Sequence, residues 1–500
     1  MKLGKSKHKP LHINDITIID DAKLKKAITA AALGNAMEWF DFGVYGFVAY
    51  ALGQIFFPDA APGIQMIAAL ATFSVPFLVR PLGGVFFGAL GDKFGRQKVL
   101  SVIIIIMAVS TFCIGLIPSY ASIGIWAPVL LLLAKLVQGF SVGGEYSGAA
   151  IFVAEYSPDS KRGFMGSWLD FGSIAGFVLG AGIVVLISSI VSEQNFLDWG
   201  WRIPFFLAAP LGIIGLYLRN ALEETPTFQR HMDKMESADR ETLKERPRLS
   251  VREVASKHWK GLLACVGLVI ATNVTYYMLL TYMPSYLSHN LHYSEDHSVL
   301  IIIAIMVGML FVQPVVGLWS DKVGRKPFVI GGSIGLFILA IPCFSLINSK
   351  VLGLIFLGLL LLAVLLNAFI GVMASTLPAM FPTQIRYSAL AISFNISVLI
   401  AGLTPTLTAW LVESTGNLYM PAYYLMVIAV IGLATGIFMR ETANRPLKGA
   451  KPSATDRAEA KEILQERYDD IEQQIDNIDT EIQALQKKRQ TLIDQHPHVN

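Results

Sequence analysis

Gly88-Ala-Leu-Gly-Asp92-Lys93-Phe94-Gly95-Arg96-Gln97-Lys98 is echoed by Gly317-Leu-Trp-Ser-Asp321-Lys322-Val323-Gly324-Arg325-Lys326. Four positions (Gly, Asp, Gly, Arg) match at one constant spacing, so the chain reads as two related halves. Each copy is a charged turn between two apolar runs. Runs of about 20 residues, enough to cross ~30 Å of hydrocarbon, recur on either side. They cover 27–57, 65–90, 98–118, 123–153, 164–191 and 201–221, then 259–288, 298–319, 327–347, 351–377, 389–412 and 420–439. A weaker echo pairs Pro158 and Arg162 with Pro382 and Arg386, each between the fourth and fifth runs of its half. The expected fold is an all-α polytopic membrane protein with twelve transmembrane helices in two six-helix bundles.

Composition agrees. Hydrophobic residues make up 54% of the 500 positions and charged residues 15%, against roughly 25% charged in soluble domains. A net charge of +3 is too small to suggest nucleic acid. Cys113, Cys265 and Cys343 lie in separate apolar runs and have no metal-ligand or disulfide spacing. The polar segment 1–26 lacks the apolar core of a cleavable signal. Lys and Arg crowd this segment and the turns at Lys93/Arg96/Lys98, Lys161/Arg162, Lys322/Arg325/Lys326 and Arg386. The positive-inside rule therefore puts those turns and both termini in the cytoplasm. The bundles are expected at 27–221 and 259–440, joined by a cytoplasmic loop at 222–258.

In the repeated turn, an Asp at a helix end can accept hydrogen bonds from a neighbouring helix N-terminus and pair with a basic residue. The glycines permit the tight turn. The pattern resembles the loop signature of the major facilitator superfamily. That resemblance implies a gate that holds the cytoplasmic face closed, made by Asp92, Gly95 and Arg96 and by Asp321, Gly324 and Arg325. Asn35-Ala-Met-Glu38-Trp39-Phe40-Asp41-Phe42, Gln138-Gly-Phe-Ser-Val-Gly-Gly-Glu145-Tyr146, Trp199-Gly-Trp-Arg-Ile-Pro-Phe-Phe206 and Glu223-Glu-Thr-Pro226 resemble its metabolite:proton symporter branch.

Ionisable residues inside spans are functional suspects, and the first half holds Glu38, Asp41, Arg80, Lys135, Glu145 and Asp170. Glu38 and Asp41 are three apart and share a helix face. Two close carboxylates repel, which suits one of them to carry a proton. In sugar–proton symporters of the superfamily an Asp on the first helix pairs with a basic residue on the fourth, and Asp41 and Lys135 align with those positions. The resemblance thus implies that Asp41 takes the proton and releases Lys135. Glu145, Asp170 and Arg80 fall in the cytoplasmic third of their spans and fit either a gate network with Arg162 or proton coupling.

From Lys461 a heptad appears, with Lys461, Tyr468, Ile475, Ile482 and Arg489 at a, and Leu464, Ile471, Ile478, Leu485 and Leu492 at d. This predicts a coiled coil at 461–495 after a linker at 441–460. Lys461 and Arg489 would face their own copies in a parallel pair, which favours an antiparallel homodimer. With this tail the chain resembles the osmosensory members of the branch, in which such a dimer tunes the osmotic threshold.

The resemblance implies a bacterial inner-membrane symporter of protons and zwitterionic compatible solutes (proline, glycine betaine, ectoine), activated by high osmolality and requiring no cofactor. Symport of organic acids such as 2-oxoglutarate or citrate is the alternative. A zwitterion has a carboxylate for a basic residue and a bulky cation for aromatic faces. The candidate contacts are Trp39, Phe42, Tyr45, Lys135, Asn273, Tyr276 and Tyr277, with Trp168, Tyr282, Thr272, Asn367 and Asn395 also at mid-span. A basic N-terminus and central loop are compatible with anionic lipid. No catalytic constellation of His, Cys or Ser lies within the spans, which argues against an enzyme.

Overall fold

The computed structural model describes residues 12–13, 16–94, 96–220, 251–293, 295–383 and 385–495. Gly95 and most of the central loop lie outside the described residues, as do the side chains of Asp92, Arg96 and Ile471. The first half comprises α1 (Asp21–Phe56), α2 (Pro62–Phe94), α3 (Arg96–Leu116), α4 (Trp126–Tyr156), α5 (Arg162–Ile190) and α6 (Gly200–Tyr217). The second comprises α7 (His258–Asn290), α8 (Glu295–Val323), α9 (Lys326–Ile347), α10 (Leu352–Ala379), α11 (Arg386–Thr415) and α12 (Met420–Phe438). Ten helices among the described residues are long and apolar enough to cross a membrane by length and composition. α1 and α3 occupy the other two expected positions.

The lipid-facing and inward faces separate by residue type. Phe311, Val427 and Phe438 are apolar and more than half exposed, as hydrocarbon contact requires. α1 is instead buried on every side from Trp39 to Gly46, so Glu38 and Asp41 sit in protein and not in lipid. Gly172, Gly176 and Gly180 on α5 let the α1 backbone come close: a Cβ at Gly176 would stand 2.0 Å from the Ala36 carbonyl oxygen.

Several spans depart from single smooth helices, among them α4, α7 and α11. α4 breaks at Gly143-Gly144, between segments Trp126–Val142 and Glu145–Tyr156. α11 breaks at Gly402-Leu403, ahead of Pro405. α7 widens into i→i+5 turns at Tyr277–Tyr282 and Tyr286–Asn290, on either side of Pro284. Proline lacks the N–H that an α-helix needs there, and the ladder shifts register around it.

The chain divides into two compact units: Ala22–Ala450, and Met1–Asp21 with Lys451–Asn500. In the second unit β1 (Thr17–Ile18) pairs in parallel with β2 (Ser453–Ala454), and α13 spans Arg457–Gln495. Ile16, Ala454 and Ala460 form a small core with Ile463 and Leu464 packed on it. The d residue Leu464 is thus partly used within the chain. Further along, Ile475, Ile478, Ile482, Leu485 and Leu492 are each about half exposed.

Candidate functional site: the bundle interface

Two buried ion pairs lie on α1. Lys135 Nζ is 3.3 Å from Asp41 Oδ2 and donates to Gln138 Oε1 at 2.9 Å. Gln138 Nε2 in turn donates to Asp41 Oδ2 and to Thr111 Oγ1, the latter at 2.8 Å. The Tyr45 ring covers the ammonium, with its centroid 4.1 Å from Nζ. Lys135 is fully buried, and a buried cation is tolerable only when paired. Protonating Asp41 would remove its counter-charge and leave Gln138 as the bridging neutral group.

Glu38 pairs not with this cluster but with Arg80 of α2. The expected contest between Glu38 and Asp41 for one proton is therefore corrected: each carboxylate has its own cation. Of the two places that the sequence allows Arg80, the network with Arg162 does not form among the described residues. Arg80 points at Glu38, midway along α1, with its guanidinium carbon 5.5 Å from the Phe42 ring centre and 5.3 Å from that of Phe77.

Around this pair the rings of Trp39, Phe42, Phe77 and Tyr277 close a cycle, with successive centroids 5.5, 5.6, 5.4 and 6.1 Å apart. Tyr276 packs on Trp39 at 4.7 Å. Three members of the cycle come from α1 and α2, and Tyr277 comes from the opposite bundle. Trp39 Nε1, Tyr276 Oη and Tyr277 Oη are buried with no hydrogen-bond partner among the described residues. Asn273 turns its amide to its own helix, at 3.1 Å from the Val269 carbonyl. Trp168 packs with Phe164 and Phe171, and Tyr282 lines a small cleft with Gly63, His289 and Glu413. Neither joins the ring cycle.

The basic-turn end is closed by the second motif copy. Asp321 accepts from the backbone N–H groups of Gly163 and Phe164 at 2.6 and 2.8 Å, across the bundle interface at the start of α5. Arg325 lies 3.5 Å from Asp321 on its own side. Gly324 has φ +102°, where a Cβ is strained, and that Cβ would also meet Glu441. The sequence echo between Arg162 and Arg386 is geometric too: each Nε donates to the carbonyl eight residues upstream, of Ala154 and of Pro378. Arg162 also pairs with Asp159, and Arg386 crosses to Glu155 at 2.9 Å.

The chain after α12 contacts this cluster. Arg162 donates to the Arg445 carbonyl and Arg386 to that of Lys448, both at 2.9 Å. Leu447 is buried between Ala154 and Ala379, one from each half. Glu441 accepts from the backbone N–H groups of Arg325, Lys326, Thr442 and Ala443 at 2.7–3.0 Å. Burial raises the carboxyl's pKa, but those four donors outweigh it and hold the group below its ordinary range. The first ten residues of the expected linker are thus tethered to the bundles, with Thr442 and Leu447 buried, and α13 starts at Arg457. At the level of the rings, Ser74 of α2, between Phe73 and Phe77, bridges to the Gly402 carbonyl and the Thr406 hydroxyl of α11, each at 2.8 Å.

The sugar (and other) transporter family model matches residues 27–454, and an osmosensory transporter coiled-coil model matches 455–500. The chain belongs to the sugar (and other) transporter family. This transporter is 77% identical to the proline/betaine transporter of Salmonella typhimurium over the full length of both chains. It is 75% identical to the glycine betaine/proline/ectoine/pipecolic acid transporter OusA of Dickeya dadantii, again over both full lengths. The ectoine/proline transporter of Corynebacterium glutamicum is 41% identical, covering 93% of this chain and 94% of its own. Among solved structures, the proton:xylose symporter XylE superposes with a TM-score of 0.69 at 18% identity, covering 85% of this transporter and 98% of that chain. The major facilitator fold read from the repeated turn, with its coiled-coil tail, is thereby borne out. So is the reading of the chain as a transporter and not an enzyme.

Several of the transporter's polar contacts had no sequence signal strong enough to single them out. Gln138 and Tyr146 lie in a quoted stretch, yet only the fold brings Gln138 to Asp41 and aims the Tyr146 hydroxyl at Asp170, 2.9 Å away. The Tyr146 ring stacks on Phe394 of the other half at 4.6 Å, so Asp170 sits at the bundle interface and not in a network with Arg162. Glu145 is buried at the start of the second α4 segment.

Proposed function

We propose that this transporter takes up zwitterionic compatible solutes of the proline and betaine class together with protons, by alternating access between the two bundles. Asp41 is the proton acceptor, Lys135 its releasable partner and Gln138 the bridge between them. The aromatic contacts of Trp39, Phe42, Tyr276 and Tyr277 receive the positive nitrogen, with Tyr45 covering Lys135. Asp321, Gly324, Arg325 and Arg162, together with their first-half counterparts Asp92, Gly95 and Arg96, hold the cytoplasmic face shut. Both termini lie in the cytoplasm of a bacterial cell and the spans in its inner membrane, a reading that the basic turns support. α13 pairs antiparallel with a second copy through Tyr468, Ile471, Ile475, Ile478, Ile482 and Leu485, with Arg489 facing acidic residues of its partner. The basic termini and loop meet anionic lipid, and the driving force is the proton gradient without a cofactor.

The observation that carries this reading is the Asp41–Lys135–Gln138 cluster, a buried carboxylate–ammonium pair between α1 and α4 whose carboxylate is flanked on α1 by Trp39 and Phe42 of an aromatic cycle shared by both bundles. The relatives named for proline, betaine and ectoine favour this solute class over organic acids. The deciding measurement is uptake of labelled glycine betaine into proteoliposomes, with internal pH recorded. Wild type should acidify the lumen as solute enters at high osmolality. Asp41→Asn should abolish accumulation while leaving exchange of labelled for unlabelled solute. Betaine uptake with no lumenal acidification would sink proton coupling, and saturable uptake of citrate unaffected by excess betaine would replace the solute class.

A further inference from the structure

Arg80 has no role in the proton cluster or in the gate, yet it is a buried cation, 4% exposed. We propose that the Glu38–Arg80 pair is the docking point of the zwitterion, which replaces the ion pair by placing its carboxylate on Arg80 and its positive nitrogen against Glu38 and the surrounding rings. This rests on the compatible-solute reading above and adds to it a second charge pair with a separate task.

Four observations converge. The pair lies against the ring cycle of Trp39, Phe42, Phe77 and Tyr277, in which Tyr277 alone comes from the other bundle, so the site is assembled and dismantled as the bundles move. The Phe42 and Phe77 faces already hold a cation, the Arg80 guanidinium, at 5.5 and 5.3 Å. A quaternary ammonium is attracted to such faces by the same ring quadrupole. Arg80 Nε, Trp39 Nε1, Tyr276 Oη and Tyr277 Oη are buried polar atoms with no partner among the described residues. All four can donate, and a carboxylate brings acceptors. The last observation is charge balance. A solute with one charge of each sign can substitute for one internal ion pair, leaving no buried charge uncompensated. A lone cation or anion leaves either Arg80 or Glu38 unpaired in a buried site, which is strongly unfavourable. Selection for net-neutral zwitterions then follows from the pair itself.

The test uses purified full-length protein and three isosteric probes: glycine betaine, the anion 3,3-dimethylbutyrate and the cation choline, with binding measured by calorimetry. Wild type should bind betaine and discriminate against the other two. Glu38→Gln leaves Arg80 uncompensated and should shift preference toward dimethylbutyrate by about tenfold or more, and Arg80→Gln should shift it equally toward choline. Such a charge-matched inversion is not produced by a merely structural role. The double variant, E38Q/R80Q, carries no unpaired charge, so it serves if the single variants do not fold. It should lose betaine affinity by about tenfold or more while keeping wild-type thermal unfolding. Unchanged ranking in the single variants, or wild-type betaine affinity in the double variant, would overturn the proposal. Failure of wild type to bind betaine would instead overturn the compatible-solute reading beneath it.

Discussion

Replacing Asp321 with Ala should spring the closed end of the bundle interface. In the structure this carboxylate takes two backbone hydrogen bonds from the start of α5, at 2.6 and 2.8 Å, and lies 3.5 Å from Arg325. A hydrogen bond to a charged group contributes about 1.5–3 kcal/mol net. Taking the lower figure for each of the two cross-bundle bonds, because members of one network are not additive, gives roughly 3 kcal/mol. That corresponds to a shift of about 150-fold toward the state open on this side. The readout is alkylation of a cysteine at Ser375, in a background with the three native cysteines replaced. Ser375 is buried and its backbone N would be 3.1 Å from a Cβ at Gly166, so it is reachable only when the bundles part. Labelling in inside-out vesicles should accelerate at least tenfold, a margin well inside the shift just worked out. An unchanged rate in a folded variant would refute the assignment of Asp321 as the latch between the halves.

Gly176→Val should destabilise the first bundle by about 1–3 kcal/mol or prevent its assembly, since even a Cβ would stand 2.0 Å from the Ala36 carbonyl oxygen; thermal unfolding in detergent reads this directly. The depressed pKa of Glu441 means its clamp stabilises the fold above the ordinary carboxylate range and loses that contribution as pH falls through the depressed value. Wild type should therefore exceed Glu441→Gln in melting temperature at neutral pH and converge with it in acid; a gap that persists in strong acid would contradict the charge-based account. Ile475→Asn with Ile482→Asn removes two half-exposed apolar side chains from α13. It should raise the osmolality needed for half-maximal uptake while leaving maximal uptake unchanged, and an unshifted threshold would count against a regulatory tail.

Legibility in the sequence followed the range of the interaction. Twelve spans could be read because hydrocarbon imposes a length and a composition on each segment separately. Asp321 could be read as a helix-end acceptor because its motif is local and repeated, and the Asp41–Lys135 pairing because it aligns with a known helix-one to helix-four pattern. Glu38 was harder. Its spacing from Asp41 puts both on one helix face, and nothing in the chain order says that α2 delivers Arg80 to one of them and α4 delivers Lys135 to the other.

The amino-acid order alone determined the two-half architecture, the placement of charge at one set of turns and the heptad stripe of the tail, all of which depend on neighbours a few residues apart. Tertiary packing decided which cation meets which carboxylate, that Tyr277 completes a ring cycle begun on α1 and α2, and that residues 441–450 are tied by hydrogen bonds to both bundles instead of hanging as a linker. Those outcomes depend on side chains tens to hundreds of residues apart being brought within hydrogen-bond range. That is a property of how helices pack, and periodicity along a single strand of sequence does not encode it.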